Sequence, residues 1–305
     1  MKTEKSDIQI SRFRLWVLLL ITIMAFSSIE TIVNPIRHRI DPFALTFWRF
    51  LLGAICLLPL TFRSGNRERL PVHARDWGII TVLGILNVVV AMGAHAVSIT
   101  HSRASTAALL IASNPLTTNI LAWFILGETL TRRRLLALGI GLPGVALVAM
   151  KAAPGVDTLL GITAGIIGMC GFSLYTVLSK STVRAFGSPN VATFGFLAGA
   201  IADLPVLLIM GVPIIPEADL WPRLIFLGVV VSGIGYMTFF EALKELPAGQ
   251  TSLLFFVKPP VALLLAWFFL GEIPSWSALV GGGLIMGGIL LDRITPAAKM
   301  PHVRG

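Results

Sequence analysis

Four charged residues lie within stretches of sequence that are otherwise apolar, namely Glu30, Arg49, Asp203 and Lys258. A charge removed from water is costly unless it is paired, hydrated or neutralised. Residues of this kind therefore form ion pairs, carry protons or bind charged ligands. We treat all four as candidate site residues.

Lys258 precedes Pro259, and 144 residues earlier Asn114 precedes Pro115. Each pair lies about 10 residues, or about 15 Å, into its apolar stretch. Because proline removes a backbone donor, both positions predict a helix kink that exposes polar groups to a cavity. Lys258 is predicted to line that cavity and to meet a carboxylate or phosphate of a substrate, with Asn114 opposite it. In the alternative, the kink serves packing alone and Lys258 pairs with Asp203, which lies at a similar depth.

Glu30 and Arg49 form a second candidate pair, because they lie at similar depths in neighbouring apolar stretches. An ion pair between them would hold the first two helices together. A sharper interpretation makes Glu30 a proton-coupling carboxylate, with protons as the candidate coupling ion. Both roles are compatible if the pair breaks during function.

Other polar residues in the apolar stretches have less specific patterns. Tyr236 could offer a flat face to a ring or a cation, and Asn87 completes the candidate substrate-binding set. Packing is the competing interpretation for Tyr236. Glu128 and Glu272 each stand between two apolar stretches, where a carboxylate favours the start of the following helix. We predict that they cap the fifth and tenth helices.

These residues must be positioned by membrane helices. The 305 residues are 55% hydrophobic and 13% charged, with a mean hydropathy of +0.86. Apolar runs of this length predict transmembrane helices and therefore a lipid bilayer as partner. The predicted spans are Leu15–Asn34, Phe43–Phe62, Trp77–Ile99, Ala104–Leu126, Leu135–Met150, Leu159–Ser179, Val191–Met210, Leu224–Leu243, Ala248–Leu270 and Trp276–Leu291. The fold class is all-α, integral membrane.

The chain is an internal duplication. Residues 114–128 align without a gap on residues 258–272, and both segments end in Ala-Trp-Phe-x-Leu-Gly-Glu. The correspondence continues on both sides with offsets of 144 to 146 residues. The predicted division is a tail of residues 1–14, repeats of residues 15–150 and 151–292, and a tail of residues 293–305.

The distribution of Lys and Arg predicts the orientation. Of the 24 basic residues, 17 lie in the tails and in alternate loops, and 5 lie in the other loops. Such a bias places both termini in the cytoplasm and explains the net charge of +9 without nucleic acid. Five spans per repeat make the second repeat inverted, an arrangement typical of secondary transporters. The glycines Gly139, Gly141 and Gly144 fit close helix packing better than a dinucleotide site.

The proline-containing helix that ends in Leu-Gly-Glu, together with the Gly-rich helix after it, resembles the EamA-type repeat of the drug/metabolite transporter superfamily. The resemblance covers nearly the whole chain and implies a ten-helix transporter with alternating access. It implies a small organic metabolite as substrate, often an amino acid that is exported, in a bacterial-type inner membrane. Residues 25–28, Ala-Phe-Ser-Ser, depart from the usual pattern of the family in the first span. The resemblance therefore does not indicate a particular known substrate.

Two other functions remain as alternatives. One is an exporter of drugs or quaternary amines, and the other is an intramembrane enzyme that modifies lipids. The sequence shows no motif for catalysis, a cofactor or a metal, so we expect a transporter rather than an enzyme. The oligomeric state is left open.

Overall fold

The apolar runs form a bundle of helices. The computed structural model describes residues 2–36, 39–63, 65, 69–101, 110–149, 158–270 and 276–291, and these residues contain no β-strand. We group their helices as α1 to α10. In the first repeat they are α1 Lys2–Val33, α2 Pro42–Thr61, α3 (Ala74–Ile85, Leu86–Met92 and Gly93–His101), α4 Asn114–Leu126 and α5 Arg132–Ala149.

The second repeat follows the same order. Its helices are α6 Leu159–Phe186, α7 Ser188–Ile209, α8 (Trp221–Phe226, Leu227–Gly235 and Tyr236–Glu245), α9 (Ala248–Ser252 and Leu254–Leu270) and α10 Trp276–Leu291. Among the described residues, six stretches are long and apolar enough to cross a membrane, and they lie in α1, α2, α3, α6, α7 and α8. The predicted helical, membrane-type fold class is therefore confirmed for these six.

Each repeat has a π-helical segment within its third helix. The segments are Leu86–Met92 in α3 and Leu227–Gly235 in α8, which overlap when the two repeats are aligned. π-Helical segments within α-helices are rare and occur frequently at functional sites. Asn87 lies in the first segment, and Tyr236 directly follows the second.

Close helix packing follows the duplication. A Cβ atom at Gly53 of α2 would lie 3.1 Å from the carbonyl oxygen of Gly228 in α8, and one at Gly199 of α7 would lie 2.6 Å from that of Gly84 in α3. The two contacts are equivalent in the aligned repeats. Each joins a helix of one repeat to a helix of the other, so the repeats interlock.

The Gly-rich helices α5 and α10 pack in the same way. A Cβ atom at Gly144 would lie 2.7 Å from the carbonyl oxygen of Gly281, and one at Gly288 would lie 2.9 Å from that of Ala137. Positions 144 and 288 are equivalent in the alignment, and so are positions 137 and 281. Gly144 therefore serves close helix packing, as the sequence predicts.

The loops gather at two ends of the bundle. Arg39, between α1 and α2, bonds to Asp219, between α7 and α8, at the end that we call the outer end. Glu128, between α4 and α5, bonds to Lys180 near the end of α6 and to Ala248 at the start of α9. This second group lies at what we call the inner end. The basic-residue bias predicts that the inner end faces the cytoplasm.

Candidate functional site

The centre of the bundle is an aromatic core around Tyr236. The Tyr236 ring lies 4.9 Å from Phe196, 5.1 Å from Phe26 and 5.7 Å from Phe50, each in an edge-on arrangement. Only 3% of Tyr236 is exposed. Edge-on pairs of this kind stabilise a core beyond the effect of buried area. Packing, the competing interpretation of Tyr236, is thus part of its role.

The polar end of Tyr236 faces two other predicted site residues. Its phenol lies beside the side chains of Arg49 from α2 and Asn87 from α3. The Arg49 guanidinium also lies 4.7 Å from the centre of the Phe50 ring, a cation–π geometry. Three residues that are distant in sequence therefore meet on helices from both repeats.

Two buried carboxamides are unsatisfied. Asn87 and Asn114 are both 0% exposed. Within the described part of the chain, no hydrogen bond of ordinary geometry reaches the amide nitrogen or the side-chain oxygen of either residue, although the Tyr236 phenol lies within reach of the Asn87 carboxamide. Buried polar groups without partners are rare, and each calls for an explanation such as a ligand, an ion or water. Both residues were predicted to bind substrate.

The residues before the two prolines are held by equivalent contacts. The Ser27 hydroxyl of α1 donates to the backbone carbonyl of Lys258 at 3.2 Å, and the Ser173 hydroxyl of α6 donates to that of Asn114 at 3.2 Å. Thr117 extends the second contact, because its hydroxyl lies 2.6 Å from that of Ser173. In each case, the first helix of one repeat holds the proline-containing helix of the other.

His95 connects the two polar regions. The ring lies in α3, and its Nδ1 has no hydrogen-bond partner in the described structure. Arg49 and Lys258 are both near enough to act electrostatically on this ring. No sequence pattern singles out His95, because it is a single His in an apolar helix. Arg49 and Lys258 thus face a common central region.

The predicted ion pairs have different outcomes. No ion pair joins Asp203 to Lys258, although both residues are described. Asp203 is 1% exposed, and its Oδ2 has no hydrogen-bond partner within the described residues. The Glu30 side chain lies outside the described part, so the Glu30–Arg49 pair stays a prediction.

The helix interruptions do not coincide with the prolines. In the first repeat the turn is at Ser113, and Pro115 occupies the first turn of α4. In the second repeat the interruption is at Leu253, while the segment Leu254–Leu270 is helical through Pro259. Proline is tolerated in a first turn because the donor it lacks has no partner there. For Pro115 the structure thus replaces a mid-helix kink with a helix start.

Glu128 has a different role from the predicted one. It accepts hydrogen bonds from Lys180 Nζ at 2.6 Å, from the backbone N–H of Ala248 at 2.7 Å and from that of Gly249 at 3.2 Å. Arg134 lies 3.9 Å from the same carboxylate. The carboxylate therefore binds the start of α9, in the other repeat, and not the start of α5 as predicted. No sequence motif singles out Lys180.

The outer end has an ion cluster of a different kind. Arg39 bonds to Asp219 at 2.8 and 2.9 Å and also to Glu217. The three side chains are 43%, 58% and 62% exposed. Hydrogen bonds to the two carboxylates raise the pKa of Arg39 further above its ordinary range. Water screens such a cluster, so it holds the loops only weakly.

The six apolar spans and the buried polar centre between interlocking repeats define a multi-pass helical membrane protein. Residues 14–150 and 159–292 both match the model of the EamA-like transporter family. The chain belongs to the EamA-like transporter family, and the resemblance seen in the sequence is confirmed.

Similar proteins agree with this assignment. An "Uncharacterized transporter" of Clostridium kluyveri is 29% identical over 91% of this chain and 92% of its own length. A "Probable terminal-alkyne amino-acid exporter" of Streptantibioticus cattleyicolor is 26% identical over 90% of this chain and 92% of its own. A crystal structure of a protein with 21% identity covers 90% of this chain and 94% of that chain with a TM-score of 0.79. That structure shares the fold.

Proposed function

We propose that this protein is a secondary transporter that exports a small organic metabolite, an amino acid or related compound, by alternating access. In this proposal ten spans form two inverted five-helix repeats in the inner membrane, with both termini in the cytoplasm. The substrate binds between the repeats and is exposed to each side in turn. Inverted repeats of this type place their binding site near the midplane.

The observation that carries the proposal is the pair of unsatisfied carboxamides, Asn87 and Asn114. Both are fully buried, and within the described structure neither side chain makes a hydrogen bond of ordinary geometry, although the Tyr236 phenol lies beside Asn87. A carboxamide both donates and accepts hydrogen bonds, so it suits the ammonium and carboxylate groups of an amino acid. Arg49 and Lys258 add positive charge that favours the carboxylate.

The name of the Streptantibioticus cattleyicolor relative supports the same substrate class, since it refers to export of an amino acid. A second candidate substrate is a quaternary amine or cationic drug. The aromatic rings of Phe26, Phe50 and Tyr236 favour it, because their faces attract cations. Arg49 and Lys258 oppose it by repulsion.

Proton coupling requires a carboxylate that changes charge during the cycle. Asp203 is the described candidate, because its side chain is buried and its Oδ2 has no hydrogen-bond partner among the described residues. Glu30 remains the sequence-based candidate. Replacing either by its amide would uncouple transport from the pH gradient while leaving exchange of substrate intact.

The test is transport in liposomes that contain the purified protein. Labelled amino acids, organic acids and quaternary amines are compared with and without an imposed pH gradient. We expect saturable flux of amino acids or organic acids and a faster flux with the gradient. Saturable flux of amines alone would replace the first substrate class by the second, and no flux of any compound would contradict the proposal.

A matched variant tests the site itself. Asn87→Val introduces the residue that the aligned second repeat has at Val231, and it removes both unsatisfied polar atoms. We expect an increased KM with unchanged thermal stability. The control is Thr163→Val, because the Thr163 hydroxyl is exposed and bonds only within its own helix. Equal flux in both variants would show that the Asn87 side chain does not contribute to substrate binding.

A further inference from the structure

The inner end contains a buried ion network that joins the two repeats. Glu128 follows α4 in the first repeat, whereas Lys180 and Ala248 belong to the second. The Glu128 and Lys180 side chains are 8% and 2% exposed, and that of Arg134 is 7% exposed. A buried charge whose partner leaves is strongly destabilised. Separation of the repeats at this end must therefore break costly contacts.

A second contact closes the same end. The Asn119 amide nitrogen of α4 donates to the carbonyl of Gly249 in α9 at 3.1 Å and to that of Pro115 at 2.7 Å. A Cβ atom at Gly249 would lie 2.1 Å from Asn119 Oδ1. The start of α9 thus lies directly on the Asn119 side chain of α4, and a Cβ atom at position 249 would force that side chain out of its present contact.

The other repeat does not repeat this chemistry in its sequence. Glu128 aligns with Glu272, but Arg134 aligns with Ala278 and Asn119 with Leu263. With the offset of 145 that holds for the first helices, Lys180 aligns with Pro35. The duplication therefore kept the acidic residue in both repeats, while the positions aligned with Arg134 and Lys180 are not basic in the other repeat.

We propose that Glu128, Lys180 and the start of α9 form a latch that keeps the inner end closed until a step of the transport cycle releases it. Release of Lys180 and of the Ala248 and Gly249 N–H groups from Glu128 is the step that opens the inner end. This inference rests on the proposed alternating access. It adds a direction to that cycle, because among the described residues the ion network at the inner end is buried, whereas the described ion cluster at the outer end is exposed.

The test is the accessibility of a cysteine placed behind the latch. Thr118 is a suitable reporter position, because it is 0% exposed and lies about 15 Å deeper in α4 than Glu128. Thr118→Cys is made after replacing the native Cys56 and Cys170 by alanine. A membrane-impermeant thiol reagent is applied to vesicles of either orientation. The inner side is the side from which Arg133→Cys, an exposed residue near Glu128 in sequence, reacts.

We expect Glu128→Gln to accelerate labelling of Thr118→Cys from the inner side by about tenfold. That factor corresponds to a shift of about 1.4 kcal/mol in the equilibrium between closed and open forms. The matched control is Glu241→Gln, which removes a carboxylate at the same end that pairs with Lys244 and Arg14. Labelling in the control should stay at the parent rate.

A second variant opens the latch without removing a charge. Gly249→Ala pushes α9 away from Asn119 and should also accelerate labelling from the inner side. Its control is Gly78→Ala, since a Cβ atom at Gly78 meets nothing within 4 Å. This variant decides the matter if Glu128→Gln does not fold.

Unchanged labelling in a folded Glu128→Gln protein, or in Gly249→Ala, would overturn the latch. Acceleration from the outer side would do the same. These readouts need no substrate, so they separate the two proposals. Saturable transport with unchanged labelling would contradict the latch but not the proposed transport. Accelerated labelling without transport would support the latch and contradict the proposed substrates.

Discussion

The inner and outer ends of the bundle both contain an ion cluster, with one carboxylate between two cations at the inner end and one arginine between two carboxylates at the outer end, and their surroundings differ. Lys180 at the inner end is 2% exposed, and its partner Glu128 also binds two backbone N–H groups of α9. Arg39 at the outer end is 43% exposed and binds carboxylates that are more exposed still. Burial, and not the number of ion pairs, decides which cluster holds the helices.

The physical reason is the solvent. Water screens exposed charges and solvates each partner when a pair breaks, so the net free energy is small. In a buried network the broken state leaves a charge without water. Breaking such a network costs about 3–5 kcal/mol, even where a hydrophobic replacement of all partners would be tolerated.

The largest effect is expected for Glu128→Ala. It leaves the Lys180 ammonium buried and removes the acceptor of the Ala248 and Gly249 N–H groups. The free energy of unfolding should fall by about 3–5 kcal/mol. The measurement is reversible unfolding by SDS in mixed micelles, with Glu241→Ala as control. A smaller decrease for Glu128→Ala than for Glu241→Ala would show that water reaches the network.

The next effect is the coupling between Glu128 and Lys180. Glu128→Gln and Lys180→Met are measured singly and together by the same unfolding assay. Because each variant removes the same interaction, the double variant should be less destabilised than the sum of the two, with a coupling of about 1–3 kcal/mol. Additive changes would mean that the two side chains act independently.

A smaller effect is expected for Glu241→Gln, whose carboxylate is 16% exposed and bonds to Lys244 at 2.6 Å. The side chains of this pair are more exposed than those of the inner network and less exposed than those of the outer cluster. We expect a loss below about 1 kcal/mol, typical of ion pairs that water reaches. A loss equal to that of Glu128→Ala would contradict the ranking by burial.

The smallest effect is expected for Arg39→Gln. Its unfolding midpoint should match that of the parent protein, because the outer cluster is exposed.

Raising the salt concentration should leave the inner network intact, since screening acts on exposed charges. The check is the difference between the Glu128→Gln and parent midpoints at low and high salt. A difference that vanishes in high salt would indicate that the inner network is hydrated.

Part of the site was predictable and part was not. The need for a partner or ligand at Arg49 and Lys258 follows from charge within apolar sequence, and Asn114 follows from its alignment with Lys258. His95 and Lys180 were not singled out as site or network residues, because neither lies in a motif. The Glu128 cap was assigned to the following helix, since local sequence cannot show that α9 of the other repeat lies nearer.

The sequence by itself determined the family, the helical membrane-type fold and the duplication, because apolar runs and aligned repeats are local or periodic signals. The tertiary structure alone decided which ends of which helices meet. It brought Arg49, Asn87 and Tyr236 together from three helices, and it set Glu128 against Lys180 and the start of α9. The reason is that such contacts depend on how the two repeats interlock, and a residue's chemistry does not identify its partner across the bundle.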